Sequence, residues 1–175
     1  MKMADPAEYI AAMSLQASSV SIITTMTEDE RFGLTATAVT SVTAEPPRLL
    51  VCVNKSGITH QKIIEAGRFC VNIVSDEQDG IAKAFAGMGD TSIDRFNHGA
   101  WGVLKTGSPV LKEAVASFDC MLCDVSDQST HSVLFGDVHA VSCHGRAEAL
   151  LYGGRRFRQL RKIFLASGGG HDDYL

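Results

Sequence analysis

The chain has 175 residues, a formal net charge of −4 at pH 7, and 45% hydrophobic and 21% charged residues. This length suits one domain with a substantial core, and the composition is ordinary for a soluble globular protein. The acidic balance gives no electrostatic reason to expect nucleic acid or an anionic membrane as a partner, and no apolar run approaches the ~20 residues that span a bilayer.

The compartment expected from the sequence is the cytoplasm. Residues 1–16 contain one lysine and no long apolar run, which is not typical of a secretory signal. An odd number of cysteines, five, favours free thiols in a reducing environment. Cys120 and Cys123 form a C-x-x-C, but on a strand they would face opposite sides, and no second ligand pair is suitably placed. We therefore expect packing roles and no metal site.

The N-terminal part of the chain predicts a helix followed by a hairpin. Asp5 suits the N-cap and Pro6 the first helical position, so a helix is expected up to Gln16. Residues 18–26 alternate and predict a strand, and the acidic turn at 27–31 leads into the next strand.

Residues 32–59 carry the most unusual pattern, FGLTATAVTSVTAEPPRLLVCVNKSGIT. The first part alternates small apolar and small hydroxylated side chains, which predicts one continuous strand from 34 to 43. A planar ring system could lie flat on such a strand and reach its backbone N–H and C=O groups. Pro46 and Pro47 end the ladder because neither donates a backbone hydrogen bond, and residues 49–53 predict a buried strand.

The turn NKSGIT then predicts an anion site. It opens a short helix that carries Ile63 and Ile64 and stops at Gly67. An amide, an ammonium and two hydroxyls at a helix N-terminus favour a phosphate, because unpaired N–H groups and the helix dipole both attract anions. The alternative for Lys55 is an ordinary solvated lysine.

Strands dominate the rest of the prediction. Residues 69–73 predict a strand, and Asp76 is expected to open a helix of about a dozen residues. A long loop at 87–109 contains Gly87-Met88-Gly89, which follows a helix and lacks a third glycine, so a dinucleotide fingerprint is rejected. Residues 115–125 and 133–142 predict two long strands joined by a polar turn at 126–130.

The last predicted element is a helix over residues 155–166, because Phe157, Leu160 and Phe164 have helical spacing. The basic run RRFRQLRK would form the solvated face of that helix. Many short strands with few helices between them predict a mainly antiparallel β-barrel.

Seven motifs stand out along the chain. They are TATAVTSVT with its proline pair, CVNKSGIT, FCVNIVS, IAKAFAG, DRF, HSVLFGDV and LLYGGRRFRQL. In their order and spacing, these motifs resemble the flavin reductase-like proteins. These are NAD(P)H:flavin oxidoreductases that feed reduced flavin to two-component monooxygenases, and the resemblance covers roughly residues 10 to 160. It implies a mainly β FMN-binding split barrel with a few flanking helices, normally a homodimer with flavin near the subunit interface. The chain would be a single domain with its core at about residues 10–165 and a flexible tail at 166–175.

The resemblance also implies a cofactor site. The strand would lie along the isoalloxazine ring and the NKSGIT turn would hold the ribityl-phosphate end. The implied cofactor-binding residues are Thr35, Thr37, Ala38, Val39, Thr40, Ser41, Val42, Cys52, Val53, Asn54, Lys55, Ser56, Thr59, Phe85, Arg95, Phe96, Tyr152 and Arg156. For Arg95 and Phe96 the alternative is a loop-anchoring pair.

His131 is the candidate catalytic residue. Isolated histidines are most often structural, but the resemblance implies a position beside the nicotinamide and flavin rings. A positioning role is expected rather than obligatory proton donation, because hydride delivery can leave an anionic hydroquinone. The family pattern has Gly-Asp before this histidine, where this chain has Ser129 and Thr130.

Two readings of the basic run 155–162 stay open. It is either a solvated helix face or a segment that closes over flavin or pyridine nucleotide through Tyr152 and Arg156. This chain has Ala149 where the family often has proline and Phe157 where it often has tyrosine.

The function expected from the resemblance is hydride transfer from NADH or NADPH to FMN or FAD, followed by diffusion of reduced flavin to an oxygenase component. The alternative is a flavin-carrying electron-transfer module that keeps its flavin and does not turn over free flavin. Nucleic-acid binding through the basic run is a third hypothesis, which the acidic net charge and the lack of an aromatic-rich surface disfavour.

Overall fold

The computed structural model describes residues 2–88, 90, 92–144 and 148–161. Its helices are α1 Pro6–Met13, α2 Ile58–Ala66 and α3 Asp79–Phe85, with a 3₁₀ turn at Arg95–Asn97. Its strands are β1 Ser18–Ser19, β2 Ser21–Thr27, β3 Glu30–Ala36, β4 Val39–Ala44, β5 Pro47–Asn54, β6 Arg68–Ile73, β7 Trp101–Val103, β8 Pro109–Leu111, β9 Ala116–Gln128, β10 His131–Cys143, β11 Leu151–Gly153 and β12 Arg156–Arg158.

Seven antiparallel strands form the main sheet, in the order β3-β2-β6-β9-β10-β5-β4. A smaller sheet has the strand order β1-β11-β12, and another pairs β7 with β8. The prediction of a mainly β, antiparallel fold is confirmed.

The main sheet closes on itself because its two edge strands are neighbours in the chain. Strands β3 and β4 lie at opposite ends of the sheet order, yet only Thr37 and Ala38 join them. We call these two residues the β3–β4 linker. The sheet must therefore curl until its edges meet, which leaves a split in the barrel at the linker.

The continuous strand predicted from 34 to 43 is therefore wrong, and the segment is two strands on opposite edges of the sheet. Strand β3 pairs with β2, whereas β4 pairs with β5 and carries a register shift between Ser41 and Thr43. Alternation of small residues continues across the linker, so side-chain pattern alone does not reveal that the pairing partner changes.

Two apolar clusters form the core on either side of the sheet. Ile22 packs with Val74 and Phe85 beneath α3, while Ile23 packs with Ile63 and other residues beneath α2. Successive side chains of β2 reach opposite clusters because they point to opposite faces of the strand. The same strand thus connects both halves of the core.

The N-terminal predictions are largely confirmed. Asp5 caps α1, since its Oδ1 accepts hydrogen bonds from the N–H groups of Ala7 and Glu8 at 2.8 and 3.3 Å. The helix ends at Met13, three residues short of Gln16. The β2–β3 hairpin turns as expected, although Val20 separates β1 from β2.

The middle of the chain differs from the prediction in two places. Helix α3 begins at Asp79 and has seven residues, because residues before it make an isolated bridge between Ser75 and Ala149 instead. The 87–109 segment contains the 3₁₀ turn and β7. The β9–β10 hairpin turns at Ser129 and Thr130, so both strands are longer than predicted.

The helix predicted over 155–166 is wrong for its described part. Residues 151–158 form the β11–β12 hairpin, in which Tyr152 pairs with Phe157 and their rings lie 5.4 Å apart. Gly154 and Arg155 form the turn of this hairpin, and both have a positive φ. A right-handed helix needs a negative φ, so no helix begins at Arg155. Residues 162–166 and the predicted tail at 166–175 lie outside the described residues.

The five cysteines are free in the structure, as predicted. Cys120 is buried and Cys123 exposed, and burial beside Asp119 raises the pKa of the Cys120 thiol to about 12. None of the helices in the described ranges has the length and apolar character that a bilayer crossing requires.

Candidate functional site

A cleft of about 520 Å³ opens where the two sheet edges meet, and we call it the main cleft. Its lining residues come from β3, the β3–β4 linker, β5, the turn before α2, the end of α3 and the start of β10: Leu34, Thr35, Ala36, Thr37, Ala38, Cys52, Val53, Asn54, Ser56, Gly57, Phe85, Ala86 and His131. This size lies within the range of small-molecule sites. The structure therefore brings eight of the eighteen predicted cofactor-binding residues, together with His131, to one cleft.

Two further clefts meet the main cleft at Thr37. One of about 620 Å³ lies towards α1 and is lined by Val39, Thr40 and Tyr152 among others. The other, of about 220 Å³, lies between the linker and Phe157. The linker is thus bordered by open space on several sides.

The linker offers backbone donors to this space. The Cys52 N–H donates to the Ala38 C=O at 3.0 Å, but the reciprocal bond from the Ala38 N–H to Cys52 is not made. Within the described residues, the N–H groups of Thr37 and Ala38 donate to no other group of the chain. Because backbone donors need partners, a flat ligand with acceptor atoms along one edge would satisfy them.

The hydroxyls of two predicted contact residues are used within the fold. Thr35 Oγ1 donates to the Ala82 C=O at 2.7 Å and ties α3 to β3. Thr59 Oγ1 donates to the Gly33 C=O at 3.2 Å, and Thr59 is only 4% exposed. The Thr59 hydroxyl therefore faces β3, and its role in cofactor binding stays a prediction.

The turn before α2 keeps the donors that an anion needs. Asn54 Oδ1 accepts the Ser56 N–H at 2.9 Å and shapes the turn. Gly57 is the N-cap of α2 and has no side chain to occupy the first N–H groups of the helix. Ser56 and Gly57 both line the main cleft, so these N–H groups lie at its end.

Lys55, between these residues, is paired with an acid. Its Nζ donates to both carboxylate oxygens of Asp127 at 2.9 Å, and this hydrogen-bonded ammonium lowers the pKa of Asp127. The Lys55 N–H also donates to the Thr130 C=O at 3.0 Å. The local sequence pattern gives no sign of Asp127, which is 72 residues away and becomes a neighbour only through the β5-β10-β9 pairing.

His131 stands at the rim of the main cleft, opposite Asn54 in the β10–β5 ladder. Its Nδ1 lies 2.9 Å from Thr130 Oγ1, and either atom can donate depending on the tautomer. The adjacent His60 places Nε2 2.9 Å from Ser132 Oγ, and burial, followed by the nearby Lys55 charge, lowers the pKa of His60.

The DRF residues anchor the loop more than they line the cleft. Phe96 is 4% exposed and packs edge-to-face on Phe85 with ring centroids 5.0 Å apart. Arg95 Nη1 donates to the Gly33 C=O at 3.1 Å. Phe85 alone of the three lines the main cleft, which is the arrangement that the loop-anchoring alternative describes.

The remaining predicted contacts lie around the outside of the main cleft. Ser41 lines a separate groove on β4, and Val42 is 46% exposed. Arg156 is exposed on β12, beside Phe157. Their roles in cofactor binding stay predictions.

Comparison with known proteins identifies the family. The flavin reductase like domain model matches residues 13–161. FMN reductase (NADH) RutF 1 of Methylorubrum extorquens (strain PA1) is 41% identical over 157 residues, which cover 89% of this chain and 77% of that protein.

Two solved structures show the same architecture. Streptomyces globisporus NADH:FAD oxidoreductase SgcE6 has a TM-score of 0.83 at 26% identity and covers 93% of this chain and 99% of its own. BorF, the flavin reductase component of a bacterial two-component tryptophan halogenase, has a TM-score of 0.81 at 29% identity and covers 91% and 100%. These similarities confirm the predicted split barrel and the predicted resemblance: the chain belongs to the flavin reductase-like domain family.

Proposed function

We propose that this chain is a flavin reductase that transfers a hydride from NADH to FMN and releases the reduced flavin. The proposal rests on family membership, on similarity to a protein named as an FMN reductase (NADH), and on the main cleft. FAD is proposed as a second substrate because SgcE6 is named as an NADH:FAD oxidoreductase. NADPH stays the alternative donor.

The observation that carries the proposal is the β3–β4 linker. It presents two unpaired backbone donors in a cleft whose lining there is small: Ala36, Thr37 and Ala38. A tricyclic ring needs a flat, unobstructed surface, and its pyrimidine edge supplies the acceptors that these N–H groups lack. The residues present therefore fit a flavin.

The chemistry of reduction is carried by flavin when it is bound, since the isoalloxazine accepts the hydride that the nicotinamide donates. The protein needs no nucleophile for this. Leu34 and Phe85 supply an apolar wall that excludes water. The first N–H groups of α2, which follow the Gly57 N-cap, hold the phosphate end. His131, at the rim of the main cleft, positions the flavin and nicotinamide rings with the edge of its imidazole. The hydrogen bond with Thr130 Oγ1 holds this imidazole in place.

We further propose that the reduced flavin passes by diffusion to an oxygenase component. BorF is named as the reductase component of a two-component halogenase, which supports a partner of the same general kind. A cytoplasmic location stays a prediction, for which the free cysteines are the support.

A homodimer is also proposed. An apolar groove of about 350 Å³ runs over the β4, β5, β9 and β10 face, lined in part by Val39, Leu49, Phe118, Val138 and Val141. Helix α1 has no buried residue although Tyr9, Ile10 and Met13 are apolar and exposed. Apolar surfaces of this kind mark contacts between chains.

The test is flavin-dependent oxidation of NADH. The reaction is measured as the loss of NADH absorbance in the presence of FMN, of FAD or of no added flavin. Ala38→Leu fills the space above the linker and should raise the KM for FMN about tenfold, because overpacking of this kind costs about 1–3 kcal/mol. Ala7→Leu, the same change on exposed α1, should leave KM unchanged.

Absence of NADH or NADPH oxidation above the free-flavin background in the unmodified protein would overturn the enzymatic proposal. Yellow protein that keeps its flavin through dialysis and turns over NADH poorly would instead support the flavin-carrying module.

A further inference from the structure

The ion pair between Lys55 and Asp127 lies at the end of the main cleft where the proposed function puts the flavin phosphate. Lys55 belongs to the turn that contributes Asn54, Ser56 and Gly57 to the cleft wall. Asp127 on β9 lies opposite Ser132 on β10, and Ser132 lies opposite Val53 on β5. These two strand pairings bring Asp127 close to Lys55. The pair is bidentate, with both N–O distances at 2.9 Å.

This pairing removes the net positive charge that the turn would otherwise offer. The charges of Lys55 and Asp127 cancel, and burial, followed by the nearby Lys55 charge, lowers the pKa of His60, which disfavours a positive charge on its ring. The phosphate monoester of FMN carries about −1.5 to −2 charges at this pH. It would meet backbone N–H groups and a neutral ion pair rather than a free ammonium.

We propose that Asp127 sets how tightly this enzyme holds the phosphate of its flavin, by competing with that phosphate for Lys55. The inference rests on the proposed function, since it needs the phosphate at this end of the cleft. It assigns a specificity-determining role to a residue that does not itself line the cleft.

The pair is suited to exchange because it is exposed. The side chain of Lys55 is 34% and that of Asp127 71% exposed, and ion pairs of this kind are weak in water. An arriving phosphate can therefore share or take the Lys55 ammonium, and Asp127 reclaims it as the flavin leaves. Such competition weakens retention of FMN, which is what a protein that supplies flavin to a second enzyme requires.

The experiment compares Asp127→Asn with the unmodified protein, using FMN and riboflavin as probes. Asparagine keeps the shape but lacks the charge, so Lys55 becomes available to the phosphate. The Kd for FMN should fall about fivefold, from the strength of one exposed charge pair, while the Kd for riboflavin should not change. Stopped-flow release of FMN should slow by a similar factor.

Two further variants separate this effect from others. Asp124→Asn removes the same charge from an exposed position on the same strand and should leave the FMN to riboflavin ratio of Kd values unchanged. Lys55→Met leaves Asp127 unpaired beside the phosphate and should weaken FMN binding but not riboflavin binding. Added sodium chloride should weaken FMN binding in both proteins, and more strongly in Asp127→Asn than in the unmodified protein. The reason is that salt screens the attraction between the phosphate and the Lys55 ammonium, which is unpaired in the variant.

The outcomes distinguish this inference from the proposed function. If the unmodified protein binds neither riboflavin nor FMN, the proposed function itself fails. If it binds both and Asp127→Asn shifts neither, or shifts both equally, or has the same effect as Asp124→Asn, the role of Asp127 is overturned while the flavin site stands. Circular dichroism of each variant confirms that a shift does not come from unfolding.

Discussion

At the level of single residues, the sequence located the cleft better than it located the groups that shape the cleft. Thr37, Ala38, Asn54, Ser56 and His131 all line the main cleft, and the motifs predict cofactor contacts for each of them. Gly33 was missed, although its carbonyl accepts hydrogen bonds from both Thr59 and Arg95. A backbone carbonyl that anchors two distant side chains leaves no trace in residue type, and so pattern could not reveal it.

His60 provides a pH test at this scale. Burial lowers its pKa in the folded state, so the unfolded state, with an ordinary pKa of about 6.5, binds more protons as pH falls. The contribution of neutral His60 to the free energy of unfolding is complete above about pH 6.5. It is lost as pH falls from there towards the lower folded-state pKa of His60. His60→Gln should therefore lose less stability on acidification than the unmodified protein does.

The measurement is urea unfolding between about pH 7.5 and about pH 5. His139→Gln, at an exposed position of β10, is the control and should retain the full pH dependence. An unchanged slope in His60→Gln would show that burial of this imidazole does not contribute to acid sensitivity.

At the level of elements, the threonines of the hydroxyl-rich segment lie in two different environments, which the sequence pattern does not distinguish. Thr35 holds α3 against β3 through the Ala82 carbonyl, whereas Thr37 belongs to the linker between strands. Within the described residues, the Thr37 hydroxyl makes no hydrogen bond to the chain, so it is available to a ligand. We therefore predict that Thr35 serves packing and that Thr37, two positions further on, serves binding.

Paired substitutions test this division. Thr35→Val should lower the free energy of unfolding by about 1 kcal/mol, the net value of one hydrogen bond, and change the KM for FMN little. Ala82 keeps its helical bond from the Ala86 N–H, so no carbonyl is left bare. Thr37→Val should do the reverse and raise KM several-fold without loss of stability.

Chemical denaturation and steady-state kinetics on both variants provide the comparison. A higher KM in Thr35→Val at unchanged stability would mean that its hydroxyl contacts flavin after all.

At the level of the whole molecule, the exposed apolar groove over β4, β5, β9 and β10 bears on assembly. Val141 lines this groove and is 53% exposed. If a second copy covers this groove, a charge placed there would be buried at a cost of several kcal/mol. The oligomeric state is therefore sensitive to one side chain.

Val141→Lys should shift the protein from twice the 18.8 kDa chain mass to a single chain mass in sedimentation or light scattering. Val125→Lys, on β9 and 41% exposed, is the matched control and should remain a dimer. A monomeric unmodified protein would refute the homodimer, and an unchanged dimer in Val141→Lys would refute this face as its interface.

The sequence alone determined the class of the fold, most strand positions, the N-cap at Asp5 and the polar turn at 54–57, because these depend on neighbours along the chain. Only the tertiary structure decided that β3 and β4 are separate edges and that residues 155–158 belong to a hairpin. It also decided that Lys55 is paired with Asp127. Strand partners and ion pairs are set by how a curled sheet brings distant residues together, and the local pattern of a segment is compatible with several such arrangements.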